Sequence, residues 1–418
     1  MTESQPHGLS RRRMLAGVGV LGAAGIGVAG GFAGGMASAE DKWSLPSAAD
    51  QLVPFRGQHQ AGITTAQQDR LAFGAFDVTA TTGAELREML RDWTTAAEAM
   101  CLGQLVPGEQ GNPLAPPADT GEAEGLLPGH LTITIGYAPS LFDGRFGLAK
   151  RRPSTLAALP TLPGEDLDPT YTGGDIMVQA CSDDPQVSFH AIRNLARIGA
   201  GTVTVRYLTT GFGRTSSTSS AQQTPRNLLG FKDGTRNIKT QQRDLLDKYV
   251  WIGDETGQDW MRGGSYLIAR RIRMYINQWD RDRLQDQENI FGRYKTTGAP
   301  LTGNAEFDTP NFHARGTDGR PVIPVDSHIR LAAHENNNGL RILRRGYSFT
   351  DGIDDTGNVL GGLFFILFCQ DPAQFVTLQR KLGSKDALNE YIMHTGSGLF
   401  ACPAGLRDGQ DWAGQLYG

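Results

Sequence analysis

"GGDIMVQACSDDPQVSFHAIRNL" (residues 173–195) and "GGLFFILFCQDPAQFVTLQRKL" (residues 361–382) match almost position for position. Both open on Gly-Gly, reach a cysteine eight residues later, turn at Asp-Pro and close a helix-like run with Arg-x-Leu. The apolar run reads as a buried strand, the Asp-Pro as a helix start, and the following spacing as an amphipathic helix. Each copy has a partner upstream in its own half. Residues 71–93, "LAFGAFDVTATTGAELREMLRDW", and residues 263–282, "GGSYLIARRIRMYINQWDRD", both read as a strand followed by a helix. Further strands are predicted at "HLTITIGYAP" (130–139) and "GTVTVRYLTTGF" (201–212). Two strand–helix units per half predict an α+β chain in which a split β-α-β, ferredoxin-like module is used twice, its antiparallel sheets flanked by helices.

The expected division is residues 50–220 for the first half and 226–418 for the second, with the boundary in the Ser/Thr/Gln stretch 213–227. Two Pro/Gly-rich insertions, 105–129 and 151–174, are expected as surface loops that shape access to a site. A duplicated sheet leaves a cleft between or beside the halves, wide enough for a large flat cofactor.

Residues 1–39 read as an export signal rather than as part of the fold. A basic cluster is followed by a Gly/Ala-rich stretch and by Ala37-Ser38-Ala39, an A-x-A cleavage site. Arg11-Arg12 after Ser10 fits the twin-arginine form, a route that carries folded proteins, often already loaded with a cofactor. The destination is the periplasm, the cell envelope or the exterior. Three arginines and one glutamate leave with the signal, taking the formal charge from −4 to −6. A mildly acidic chain argues against a nucleic-acid partner. The four cysteines have no C-x-x-C spacing, which speaks against a zinc or thioredoxin-type site.

Chemistry is sparse at first sight. His59, His130, His190, His313 and His394 stand singly, while His328 and His334 share "PVDSHIRLAAHENNNGLRILRRGYSF" at a spacing unsuited to joint ligation from one helix face. There is no H-E-x-x-H, no G-x-S-x-G and no G-x-G-x-x-G in a strand-to-helix turn. "GFKDGTRN" (230–237) gathers an acid, two bases and an amide around two glycines; locally it is a turn, and no hairpin requires it.

"RNLLGFKDGTRN" resembles the G-x-x-D-G motif of the dye-decolourising peroxidases. "FGRYKTTGAPL", "SHIRLAAH", "RILRRGYSF" and "LNEYIMHTGSGLFACP" resemble segments of the exported branch of that family, in order from about residue 60 to the C-terminus. The resemblance implies two ferredoxin-like halves of the dimeric α+β barrel type, with haem b in the second. It implies His328 as the iron ligand, with His334 as the weaker contender. Asp233 becomes the acid on the opposite face and Arg344 its arginine, while Gly234 and Arg293 join the cofactor wall. Glu390 is expected to accept the N–H of the iron-ligating imidazole, with Asp386 as runner-up. One departure stands out: Gly346 occupies a position that often carries Asn in the intracellular branch.

The implied activity is a peroxidase that reduces hydrogen peroxide and oxidises dyes, phenols or other bulky one-electron donors. An alternative is an exported haem-handling protein of iron uptake that releases iron from haem, with incidental peroxidase activity. Membrane partners of iron uptake and an oligomer are both compatible with the sequence. An Asp with its reference pKa of about 3.9 suits proton transfer in acid, and Arg344 stabilises departing hydroxide without titrating. Glycines 230 and 234 are expected to bring the Asp233 backbone close to the porphyrin. Because bulky donors cannot reach a buried haem edge, Tyr347 and Tyr391 are candidate surface-near electron carriers.

Overall fold

A computed structural model describes residues 47–418; the export signal expected at residues 1–39 lies outside the described residues. The first repeat forms β3 (Ile176–Ser182) and α2 (Pro185–Ile198), and the second forms β8 (Val359–Cys369) and α7 (Ala373–Lys385). In chain order the first half comprises β1 (Arg70–Val78), α1 (Gly83–Cys101), β2 (Thr132–Tyr137), β3 (Ile176–Ser182), α2 (Pro185–Ile198) and β4 (Val203–Arg214). The second comprises α3 (Arg243–Tyr249), β5 (Ser265–Met274), α4 (Ile276–Trp279), α5 (Leu284–Phe291), α6 (His328–Ala332), β6 (Leu343–Arg344), β7 (Tyr347–Ile353), β8 (Val359–Cys369), α7 (Ala373–Lys385), β9 (Ile392–Cys402) and α8 (Trp412–Tyr417).

Local chemistry fixes the helix starts. Thr82 and Glu85 form a reciprocal capping box at α1. Asp184 accepts the Gln186 and Val187 N–H groups ahead of Pro185 at α2. These contacts satisfy first-turn donors that have no partner inside the helix.

The strands follow the order β5-β9-β2-β3-β1-β4-β7-β8-β6, with β5 also paired to β8. The pairings therefore close on themselves. Within the first half the order is β4-β1-β3-β2, and within the second β9-β5-β8-β7. Both are the fourth, first, third and second strands of a split β-α-β unit, as the repeat predicts. The seams between the halves are narrow: Tyr137↔Ala401 joins β2 to β9, and Phe212↔Ser348 with Arg214↔Tyr347 joins β4 to β7.

Three apolar layers result. One lies under α1 and α2, and a second fills the space between the two sheets, where Phe73 meets Phe364 at 4.9 Å. The third, built on Phe231, Trp279, Phe291 and Tyr391, lies beyond the outer face of the second sheet. All four cysteines are buried and free.

Several expectations change. The run after β5 gives one helical turn, α4, rather than a long helix. Neither insertion lines the principal cavity, whose walls all come from residues 227–394. The insertion at 151–174 instead runs along β9, where Asp166 and Asp168 N–H groups donate to the His394 and Thr395 carbonyls. The Ser/Thr stretch is no loose linker: Thr215, Ser216, Ser217 and Thr218 are all buried. Their hydroxyls bond inward, with Ser216 Oγ donating to Gln67 Oε1 (2.8 Å) and Thr218 Oγ1 to the Thr65 carbonyl (2.6 Å).

Glu165 of the first half reaches Arg270 of β5 at 2.6 Å, with the Arg270 side chain 1% exposed. Removing one partner leaves a buried charge uncompensated. Glu165→Ala should therefore lower unfolding free energy by roughly 3–5 kcal/mol, against ~0–1 kcal/mol for Asp286→Ala at the exposed Arg283 pair, in denaturant titrations of both variants.

Candidate active site

In the first half, α1 and α2 cover the outer face of the sheet. In the second half α4 is too short to do so, and the segment between α5 and β6 stands away from the sheet. Between them lies a cavity with about 1630 Å³ of empty space counted out to its mouth. Ile272 and Met274 of β5, Leu363 and Phe365 of β8 and Ile392 of β9 form its apolar back wall. His328, Asp233 and Arg344 all line it.

His328 opens α6 and turns its ring into the cavity. Its Nδ1 lies 2.6 Å from Asp386 Oδ2. The Asp386 side chain is 3% exposed, against 29% for the imidazole. Asp386 also caps the turn Ala387–Glu390, its Oδ1 accepting the Leu388 N–H at 2.9 Å, so the carboxylate is held at both oxygens. Burial works against a charged imidazole, but the nearby Asp386 carboxylate outweighs it and raises the His328 pKa overall. Glu390, the expected partner, is exposed and does not meet His328. The turn that Asp386 caps carries Glu390 outward. His334 lies on the cavity wall with Nε2 3.0 Å from Arg236 Nη2; burial and neighbouring arginines lower its pKa.

In the same cavity, Arg344 Nη1 donates to Asp233 Oδ1 at 2.8 Å. The other oxygen, Oδ2, is held only loosely by Asn227 Nδ2 at 3.3 Å. Gly234 lines the cavity in a left-handed conformation, φ +89°, and an added Cβ would lie 2.7 Å from Ser216 Cα. Gly230, φ +84°, is instead crowded by Lys295, and it does not line the cavity. The two glycines therefore serve backbone packing around Asp233, each against a protein neighbour. Gly346 has a packing reason too: a Cβ there would come within 2.7 Å of Thr215 Oγ1.

The cavity charge is lopsided. Arg293 is buried and bonds only carbonyls, those of Gly298 (2.5 Å) and Glu306 (3.0 Å). Burial and the charge of Arg236 push its pKa down to about 10. Arg341 also lines the cavity, and among the described residues no carboxylate lies within ion-pair distance of it or of Arg293. An apolar slot lined by an imidazole, an acid–arginine pair and two guanidiniums with no ion-pair partner among the described residues fits a flat iron tetrapyrrole bearing two carboxylates.

Aromatic side chains lead away from His328. Its ring meets Phe291 at 5.9 Å, Phe291 meets Trp279 at 5.7 Å, and Trp279 meets Tyr391 at 4.9 Å. Tyr391 is 5% exposed, and burial followed by the Asp282 carboxylate raises its pKa. Tyr347 does not fit the expectation of a surface-near carrier. It is fully buried between the sheets, beside Cys181 and Gln67.

Sequence reasoning missed Arg341, Phe291 and the deep polar pair His394 and Gln379. A lone His or Gln at an apolar wall carries no sequence signal, and Arg341 shares its stretch with Arg344 and Arg345, from which the sequence does not tell it apart.

Residues 60–213 match the family described as Dyp-type peroxidase, N-terminal, and residues 224–407 match Dyp-type peroxidase, C-terminal. The deferrochelatase of Escherichia coli (strain K12) is 39% identical over 417 residues, 97% of this chain and 96% of that protein. A DyP-type peroxidase from Streptomyces coelicolor superimposes with a TM-score of 0.82 at 36% identity, covering 90% of this chain and 100% of that one. An oxyferrous/water mixed complex of DtpA from Streptomyces lividans gives 0.81 at 36%, covering 89% and 100%.

The deep wall has a pH consequence. His394 Nδ1 accepts from Arg270 Nε at 3.1 Å, and burial and the Arg270 charge push the His394 pKa down to about 3. A base whose pKa falls on folding binds its proton more readily when unfolded. From its ordinary 6.5 down to about 3, stability should therefore fall as pH falls, by up to ~1.4 kcal/mol per pH unit. His394→Gln should flatten the acid limb by that slope in denaturant unfolding followed from about pH 7 to about pH 4.

Proposed function

The chain belongs to the Dyp-type peroxidase family, and on that premise we propose how its residues divide the work of a haem-dependent peroxidase. The enzyme consumes hydrogen peroxide and a reducing donor, with haem b as cofactor. His328 would hold the iron through Nε2, while Arg293 and Arg341 would take the two carboxylates. Bound haem supplies the redox change that breaking the O–O bond requires. The observation that carries this assignment is that two ion-paired groups, His328 with Asp386 and Arg344 with Asp233, line one cavity.

Each residue then has one task. Asp386 accepts the Nδ1–H of His328, which fixes the ring and makes its other nitrogen more electron-rich. Asp233 Oδ2, the loosely held oxygen, takes the proton from the inner peroxide oxygen and returns it to the outer one, so that water departs. Asp233 is unchanged over the cycle. Arg344 spends only Nη1 on Asp233, leaving Nε and Nη2 to steady negative charge on the departing oxygen. For donors too bulky to enter, the column Phe291–Trp279–Tyr391 offers a path outward from the cavity as far as the buried Tyr391, with Asp282 beside the phenol to receive its proton.

A second reading is favoured by the relatives named deferrochelatase: release of iron from haem in an iron-uptake context. It uses the same ligand and has a different product, free porphyrin, detectable by its fluorescence. The twin-arginine signal supports export to the periplasm or cell envelope, where membrane partners of iron uptake would be met. Oligomer formation belongs to the same proposal.

Three measurements test the division of labour. Asp233→Asn should slow peroxide consumption by about 10²–10⁴-fold with the Soret band retained; unimpaired turnover would remove Asp233 from the mechanism. Asp386→Asn should weaken haem retention or activity about 10–100-fold, while Glu390→Gln changes neither, read by haem transfer to apomyoglobin and by peroxide turnover. Tyr391→Phe should cut turnover of a bulky dye several-fold and spare that of a small phenol; equal rates on both donors would eliminate the path.

A further inference from the structure

Asn237 ends the stretch that carries Asp233, and the roles above leave it unused. It is buried, and its carboxamide makes three hydrogen bonds, with both N–H donors used. Oδ1 accepts the Arg344 backbone N–H at 2.8 Å. Nδ2 donates to the Arg344 carbonyl at 2.8 Å and to the Ser217 carbonyl at 3.2 Å. The partners dictate the amide orientation, since an N–H needs an acceptor and two carbonyls need donors.

The reason lies in β6, which is only two residues long. Leu343 and Arg344 pair with Phe368 and Leu367 of β8, and the next N–H, of Arg345, donates to the Ile366 carbonyl. Among the described residues, no strand pairs with the opposite edge. There the Asn237 carboxamide supplies the donor and acceptor that a strand would have supplied, while Ser216 Oγ, whose single proton goes to Gln67 Oε1, lies 2.9 Å from the Arg344 carbonyl. The same stretch holds the far end of the same side chain, where Asp233 Oδ1 takes Arg344 Nη1. A turn closed by Asn237 N–H on the Gly234 carbonyl (3.0 Å) ties the two grips together. Arg344 is thus held at its backbone and at its guanidinium by residues four apart in one rigid turn.

We propose that Asn237 is a positioning residue that sets the aim of Arg344 toward peroxide; this rests on the reading in which Arg344 acts there. Without the carboxamide, a two-residue strand keeps one paired edge. Its arginine then pivots on Asp233 alone, and misplacement of about 1 Å at a reacting group can cost 10²-fold.

The test is a double-mutant cycle on haem-loaded protein. Asn237→Ala should slow reaction with peroxide about 10–100-fold with the Soret band kept, and should add nothing in an Arg344→Leu background. Amide exchange at residues 343–346 should accelerate in Asn237→Ala, in both haem-free and haem-loaded protein. Asn237→Ser keeps one hydroxyl able to donate to a carbonyl without burying a charge, so it should fall between wild type and Asn237→Ala and covers the case in which the Ala variant does not fold. Unchanged exchange at Arg344, or slowing that multiplies with Arg344→Leu, would overturn the proposal. If Arg344→Leu alone left the peroxide reaction intact, the reading of Arg344 would fail, while the exchange data would still report whether Asn237 holds its backbone.

Discussion

A sheet face that is apolar has to be covered, and in this chain the two halves meet that requirement differently. The first lays α1 and α2 across its sheet. The second has α7 but only a single turn after β5, so part of its sheet faces a cavity instead of a helix. Position of the site follows directly. The apolar back wall consists of strand residues that would otherwise be helix-packing core, and the insertion between α5 and β6 supplies the opposing wall with its imidazole and guanidinium groups.

Polar order inside such a cavity depends on carboxylates that are themselves tied down. Asp386 is fixed by the backbone of the turn it caps before it meets His328, and Asp233 sits in a turn braced by two left-handed glycines. Neither relies on haem to be oriented. The buried hydroxyl run Thr215–Thr218 extends this order backwards. It passes beneath Arg344, with Gly234 and Gly346 pressed against it, so the segment joining the halves backs the residues that line one side of the site.

Much of this was legible in the sequence. A 22–23-residue repeat with matched Gly-Gly, Cys and Asp-Pro positions is hard to misread, and it fixed the strand order of both halves. His328, Asp233 and Arg344 came from motif resemblance and do share one cavity. What was not legible depends on direction in space. Glu390 and Asp386 flank one short turn, and only the capping bond to Leu388 reveals which of them points inward. Tyr347 is three residues from Arg344, and alternation along an extended chain sends it to the opposite face, between the sheets. The Ser/Thr run looked like a linker because its composition is polar; its burial depends on partners about 150 residues away, Gln67 and Thr65.

The four free cysteines gain meaning in a protein that meets oxidant at every turnover. The thiolate is the form that peroxide attacks, and burial pushes the Cys101 thiol up to about 12 and raises those of Cys181, Cys369 and Cys402 as well. Held protonated and out of contact with solvent, they are poor targets for sulfenic-acid formation. The interior is thereby hardened against self-inactivation by the enzyme's own reagent, with no need of disulfides for protection.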